Sequence, residues 1–167
     1  MTSTPEFCFK SMLSFFIFAF RSEFSQVSIN HVIIAAGSLY SLCEFIIKTL
    51  KKNNVLRETV LRVLERENSQ FDEIFEGVFE ILLNHDGSAM WAVNKVLLVL
   101  AIIFEEKYYK LKNSAISMFS ASLETQNELD KAFGNLFANV NKTLDSKNKD
   151  LFTKNFTEFK QALAGLG

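Results

Sequence analysis

Residues 90–104 of this chain read MWAVNKVLLVLAIIF, and from Val96 to Phe104 the stretch contains no polar side chain. A helix on the surface of a globular domain shows one apolar stripe opposite a polar face, whereas a helix that is apolar all round is buried on every side. The unbroken apolar run is also well short of the roughly twenty residues that a membrane-spanning helix needs. The stretch therefore predicts a central core helix, over about residues 88–112, around which other helices pack.

Helical spacing of apolar residues continues on both sides of this stretch, and no run alternates apolar and polar residues as a strand would. We therefore predict an all-α fold, a bundle of about seven or eight helices that forms a single domain over residues 1–167. The predicted helices cover about residues 4–24, 25–52, 55–67, 69–83, 88–112, 113–122, 125–144 and 151–164, the second beginning near Ser25 or Ser28, with caps predicted at Ser69 and at Asp86 or Ser88.

Composition narrows the class of protein. The chain has 49% hydrophobic residues, eighteen phenylalanines and a formal net charge of -1, which is typical of a globular domain and offers no basic field for nucleic acid. The apolar run over residues 12–20 lacks the charge pattern and cleavage site of a signal peptide. Cys8 and Cys43 are far apart and are interpreted as buried, reduced thiols of a cytoplasmic protein.

Residues that could carry chemistry are few. His31 and His85 have no nucleophile motif or metal-ligand partner at a recognised spacing, and nothing around either supports haem ligation. The acidic run Glu73, Glu76 and Glu80 is interpreted as a solvated helix face, and Lys107, Lys110 and Lys112 as cations at a helix C-terminus. We therefore predict no enzyme activity, no cofactor and no metal site.

Two local patterns in this order of helices carry a family resemblance. The first has apolar anchors at i, i+4, i+7 and i+11 with small residues between the last two, and consists of Ile29, Ile33, Ala36, Gly37, Ser38 and Tyr40. The second is Phe71-Asp72-Glu73-Ile74-Phe75 followed by Asp86-Gly87, with Trp91 at the start of the central helix. Together with a buried fifth helix, these patterns resemble the Bcl family of apoptosis regulators. Ser38 stands where the family's death motif has an aspartate, and the arginine of its groove motif is missing here.

The resemblance implies a non-enzymatic interaction protein that regulates apoptosis and binds an amphipathic partner helix in an apolar groove between helices two, three, four and five. The candidate groove residues are Leu56, Val60, Leu64, Phe71, Phe75 and Val96. Two other functions are also compatible with the residues of this chain. The phenylalanines could line a cavity of a carrier or sensor for an apolar ligand such as a lipid, or the helix faces could be buried by self-association in a structural oligomer. No nucleic acid partner and no membrane span are expected.

Overall fold

The computed structural model describes residues 4–21, 29–83, 87–120 and 122–166. These residues form helices and connecting segments without a strand, which confirms the predicted all-α class. The eight helices of the described residues are α1 (Thr4–Arg21), α2 (Ile29–Leu50), α3 (Val55–Arg66), α4 (Asn68–Leu83), α5 (Gly87–Ile103), α6 (Glu105–Phe119), α7 (Leu123–Leu136) and α8 (Ser146–Leu166). The predicted start of the second helix at Ser25 or Ser28, the cap at Asp86 and the loop residue His85 lie outside the described residues. Ser69 lies inside α4, which begins one residue earlier.

The helices are arranged as three stacked pairs: α1 with α2, α4 with α5, and α7 with α8. Helix α1 packs on α4, while α2 packs on α5 and α5 packs on α8. One layer of the stack therefore runs from α1 to α4 and α6, and the other runs from α2 through α5 to α8. Helices α3 and α6 connect successive pairs. Apolar side chains of each pair are buried against the next pair, as in helical-repeat proteins.

The predicted central helix is confirmed, and its surroundings explain its composition. From Val96 to Leu100 every side chain of α5 is at most 1% exposed, because α2 and α8 flank the helix within its layer and α4 and α6 cover it from the other layer. One narrow face of α5 remains open to solvent. It carries Lys95 and Trp91, whose ring is 40% exposed and lies 5.4 Å from the ring of Phe156.

The central helix ends earlier than expected. It was predicted to run to about residue 112, but α5 ends at Ile103 and α6 begins at Glu105. Phe104 leaves helical geometry, with φ of -124° and ψ of 61°, and places its ring 4.8 Å from that of Phe71. Burial of this ring and two glutamates at the positive end of α6 favour the break.

Phenylalanines connect the stacked pairs. The ring of Phe79 on α4 lies 5.8 Å from that of Phe133 on α7, which in turn lies 4.9 Å from Phe159 on α8. Tilted and edge-on ring pairs at these distances stabilise a core beyond the effect of apolar burial. Packing between helix pairs therefore accounts for many of the phenylalanines, whereas Phe15, Phe18 and Phe45 are 39–53% exposed.

The segment between α7 and α8 is irregular, although the sequence pattern predicted a helix up to residue 144. The buried side chain of Asn148 holds this segment by accepting a hydrogen bond from Asn141 N (2.7 Å) and donating to Asn141 O (2.7 Å) and Thr143 O (2.8 Å). Asp145 accepts from the Thr143 hydroxyl and from Asn148 N, and these bonds lower the pKa of its carboxyl. The path of the segment between α7 and α8 is thus set mainly by the side chain of Asn148 in α8. The helical spacing of apolar residues within the segment does not determine it.

Gly37 and Gly77 differ in their surroundings. A Cβ added at Gly37 would meet nothing within 4 Å. Two helices approach closely at Gly77 of α4, where a Cβ would lie 2.8 Å from Phe20 Cβ and 3.0 Å from Arg21 Cγ. Contact between α1 and α4 therefore depends on Gly77.

Gly77→Ala is expected to destabilise the fold by about 1–2 kcal/mol, because overpacking against the fixed Phe20 Cβ outweighs the helix propensity of alanine. The matched control is Gly134→Ala in α7, where an added Cβ also meets nothing within 4 Å. That control should stabilise the protein by about 0.5–1 kcal/mol. Urea unfolding of both variants measures the difference, and two shifts of the same sign would contradict the close contact at Gly77.

Helix α2 is the one described helix that is long and apolar enough to cross a membrane by length and composition. In this structure 44% of its most apolar window is buried inside the protein, and its inner face packs on α5. A core helix passes the same length and composition test. The apolar character of α2 is thus explained in part by its contacts within the stack.

Candidate partner-binding surface

An apolar groove opens where α2 and α3 meet the start of α1. It encloses about 250 Å³ and is called the α2–α3 groove below. Thr59, the one polar side chain among its lining residues, donates its hydroxyl to Val55 O at 3.2 Å. The lining residues are Phe9, Leu42, Phe45, Ile46, Thr59, Val60, Val63 and Leu64. Such a groove can bury an apolar side chain of a partner without leaving a polar group unpaired.

The corner between α2 and α3 sets the position of the groove. Asn54 caps α3 by accepting a hydrogen bond from Arg57 N at 3.1 Å. The guanidinium of Arg57 then donates through Nε to Leu50 O at the end of α2, also at 3.1 Å. Because both ends of the connection are held in this way, the apolar stripe of α3 is fixed opposite α2.

The same corner carries a net positive charge. Between residues 44 and 58 the chain has four cations and two carboxylates, Glu44 and Glu58, and the four cations are called the basic corner. It consists of Lys48, Lys51, Lys52 and Arg57. Lys48 lies 3.4 Å from Glu44 in an exposed ion pair. A partner with acidic side chains beside an apolar one would match both the groove and the corner.

The structure separates the groove residues that were predicted from the sequence. Val60 and Leu64 line the α2–α3 groove, and Leu56 is 46% exposed one turn before Val60. The other three, Phe71, Phe75 and Val96, are at most 1% exposed in the core between helix layers. The observed groove therefore lies between α1, α2 and α3, not between the second to fifth helices.

The four apolar anchors of the pattern that resembled a death motif lie along one edge of the buried face of α2. Ala36 is buried, and Ile29 and Tyr40 are partly buried against the core. Ile33 is 51% exposed although it belongs to the same helical stripe, and Gly37 and Ser38 are exposed as well. The buried anchors are therefore core contacts of this chain, and the four do not form a uniformly buried face.

Sequence reasoning missed the groove residues Phe9, Leu42, Phe45, Ile46 and Val63. Leu42, Phe45 and Ile46 widen the apolar surface of α2 beyond one stripe, which was a usable signal for a second contact. The contribution of Phe9 from α1 depends on tertiary packing and left no trace in the local pattern.

A second cleft, of about 340 Å³, lies between α4 and α6. Its apolar lining includes Phe79 and Leu111, and its rim carries Arg21, which bonds to Glu76 and to Glu80 at 3.1 Å. Burial lowers the pKa of Arg21, but the pairs with Glu76 and Glu80 outweigh this and raise it. The rim charges are thus already paired within the chain.

Groups suited to catalysis or metal binding are scarce in the described ranges. There, no three His, Cys, Asp or Glu side chains lie close enough to hold a metal ion. Cys43 is fully buried, and burial raises the pKa of its thiol, which keeps it protonated. His31 lies on the exposed side of α2. Lys107 and Lys112, expected at a helix C-terminus, instead connect α6 to Asp72 and Asp130.

Neither a protein-family model nor a solved structure matches this chain. Several curated proteins are similar to it in sequence. Ran-binding protein 16 of Drosophila melanogaster is 29% identical over 140 residues, which cover 77% of this chain and 13% of the relative. Exportin-7 of Dictyostelium discoideum is 25% identical over 125 residues, covering 75% of this chain and 12% of the relative. Ran-binding protein 17 of Mus musculus is 30% identical over 99 residues, 57% of this chain and 9% of the relative.

This chain is similar to Ran-binding proteins and exportins. The resemblance to the Bcl family was therefore wrong, and with it the predicted role in apoptosis and the death-motif helix as its partner. The relatives' names describe binding and export and not a catalysed reaction. Because the matched segments make up only 13% and 12% of the first two relatives, the chain corresponds to a small part of those proteins.

Proposed function

We propose that this chain is a stacked-helix segment that binds Ran and takes part in export. The observation that carries this proposal is the similarity to Ran-binding protein 16 over 77% of the chain. The stack of helix pairs supports it, because such stacks present extended surfaces to protein partners. A role in export implies that the chain works in the cytoplasm and in the compartment that the cargo leaves.

We further propose that the α2–α3 groove and the basic corner contact the partner. The groove supplies apolar burial, which contributes most of the affinity at the centre of a protein interface. The four cations of the basic corner favour a partner that has acidic side chains next to the apolar side chain buried in the groove. They also raise the rate at which that partner associates with the chain. Binding should therefore weaken as salt is added, because exposed charges are screened.

Purified Ran is expected to bind the chain in biolayer interferometry, and Val60→Glu is expected to weaken that binding by at least about tenfold, because a carboxylate would then occupy the groove. Val60 is partly exposed, so the variant should fold. Lys51→Glu combined with Lys52→Glu should slow association and reduce its salt dependence.

The matched control is Leu123→Glu, which places the same charge at an exposed apolar residue of α7, far along the chain from the groove. It should bind as the unchanged chain does. No binding of Ran by chain that circular dichroism shows to be helical would contradict the proposed partner. Equal binding by all three variants would contradict the proposed surface.

A further inference from the structure

Trp91 is the only tryptophan of this chain, and 40% of it is exposed on the narrow open face of α5. Its ring lies 5.4 Å from that of Phe156 of α8, which is completely buried. A tilted ring contact of this kind holds the indole in one orientation and leaves its outer part uncovered. Tryptophan is enriched among the residues that contribute most to binding at protein interfaces. A fixed indole that is open to solvent is therefore a candidate contact for a partner.

Two lysines lie beside this indole. The Nζ of Lys160 of α8 lies 5.4 Å from the centroid of the Trp91 ring. Lys95 is exposed and follows Trp91 by four residues in α5, so the two side chains are neighbours on one face of that helix. The three residues Trp91, Lys95 and Lys160 are called the Trp91 surface below. One indole and two ammonium groups are thus brought together across α5 and α8.

Carboxylates of the surrounding helices do not neutralise this surface. Among the described residues neither of its ammonium groups forms an ion pair. Helix α5 contains no Asp or Glu, and the one carboxylate of α2, Glu44, pairs with Lys48. In α8, Asp150 lies ten residues before Lys160, and Glu158 projects from another side of the helix because it is two residues away. The Trp91 surface therefore offers two positive charges beside an apolar ring.

We propose that the Trp91 surface binds an acidic segment of a partner protein. An apolar side chain of that segment packs on the indole, and carboxylates next to it pair with Lys95 and Lys160. Apolar burial gives the contact its affinity, while the complementary charges select an acidic partner. A basic segment would place like charges beside the two lysines. The Trp91 surface shares no residue with the α2–α3 groove, and its partner goes beyond the proposed binding of Ran.

Single-stranded nucleic acid also combines flat apolar groups with negative charge, since bases stack on aromatic rings and phosphates pair with lysines. Proteins that bind it have a positively charged groove that follows the backbone over several nucleotides. This chain has a formal net charge of -1, and the Trp91 surface supplies two cations. An acidic protein segment therefore fits this surface better than a nucleic acid does.

The fluorescence of Trp91 reports binding at this surface, because the chain has no other tryptophan. The probe is a short synthetic peptide with one leucine flanked on both sides by glutamates. Titration of this peptide into the intact chain is expected to change the Trp91 emission until it saturates, and to protect the indole from quenching by acrylamide. A peptide with lysines in place of the glutamates should leave the emission unchanged. Binding of the acidic peptide at the basic corner would not cover the indole and would leave its quenching unchanged.

Lys95→Glu and Lys160→Glu are each expected to weaken binding of the acidic peptide by at least about tenfold, because an attractive charge becomes repulsive. Lys95 is exposed and Lys160 is partly exposed, so both variants should fold. The matched control is Lys154→Glu, which makes the same change of net charge at an exposed residue of α8 on another side of the helix from Phe156. It should bind the peptide as the unchanged chain does.

An acidic peptide that leaves the Trp91 emission and quenching unchanged at millimolar concentration would overturn the proposal, and so would equal binding of the lysine peptide. An equal loss of affinity in Lys154→Glu would also overturn it, because the effect would then come from overall charge. Tighter binding of a single-stranded oligouridylate, lost in Lys95→Glu, would overturn it in favour of a nucleic acid. None of these outcomes depends on whether Ran binds.

Discussion

Leu100→Asp is expected to prevent the chain from folding. Leu100 is 0% exposed at the middle of α5, where helices of both layers surround it. A carboxylate at this position would have no water and no cation to pair with, and its burial should cost more than about 4 kcal/mol. Since a domain of this size is stable by roughly 5–15 kcal/mol, most of the free energy of unfolding would be lost.

Lys95→Asp is the matched control for this experiment. It introduces the same residue five positions earlier in the same helix, but on the narrow face of α5 that is open to solvent. Thermal unfolding followed by circular dichroism should show a cooperative transition for Lys95→Asp close to that of the unchanged chain. A Leu100→Asp variant that melted within a few degrees of the unchanged chain would contradict the buried position of α5.

Asn148→Ala is expected to lower the stability by about 3 kcal/mol, because it leaves Asn141 N, Asn141 O and Thr143 O without their side-chain partner. For a chain of this length the loss corresponds to a fall in melting temperature of roughly 10 °C. Differential scanning calorimetry measures it, and the segment between α7 and α8 should become sensitive to limited proteolysis.

Asn155→Ala provides a graded comparison. The Asn155 amide donates to Leu136 O and Ala138 O, both at 3.1 Å, but its side chain is only partly buried, so that water can replace it. The loss should be about 1 kcal/mol. A larger effect for Asn155→Ala than for Asn148→Ala would show that the buried amide is not what holds the segment.

The spacing of apolar residues predicted a helix well where the residues of that pattern are also buried in the structure. The nine apolar residues from Val96 to Phe104 could only be accommodated in a core, and α5 lies there. The end of α7 was misjudged because Phe137 and Val140 continue the helical spacing, whereas the chain is turned by two amides of α8, Asn148 and Asn155, which bind backbone groups 7 and 19 residues before them. The break at Phe104 has no glycine or proline to announce it, and it coincides with the contact between the rings of Phe104 and Phe71 of α4.

The candidate site was only partly predictable for the same reason. Val60 and Leu64 follow from the apolar stripe of α3, but the groove they line depends on Phe9 and on how α1 meets α2. The resemblance to an apoptosis regulator relied on anchors at i, i+4, i+7 and i+11, a spacing that any apolar helix satisfies. Ile33, one of those anchors, is 51% exposed and is not buried in the core.

The order in which the helix pairs stack also bears on how the chain folds. Each pair packs mainly on the pair next to it along the chain, so residues that meet in the folded state are separated by only a few helices. The entropy lost in closing such short loops is small, and chains with this property fold quickly. Stability then resides in the interfaces between successive pairs, and because the interface of α1 and α2 with α4 and α5 is the most extensive, the α7–α8 pair is the one expected to detach first.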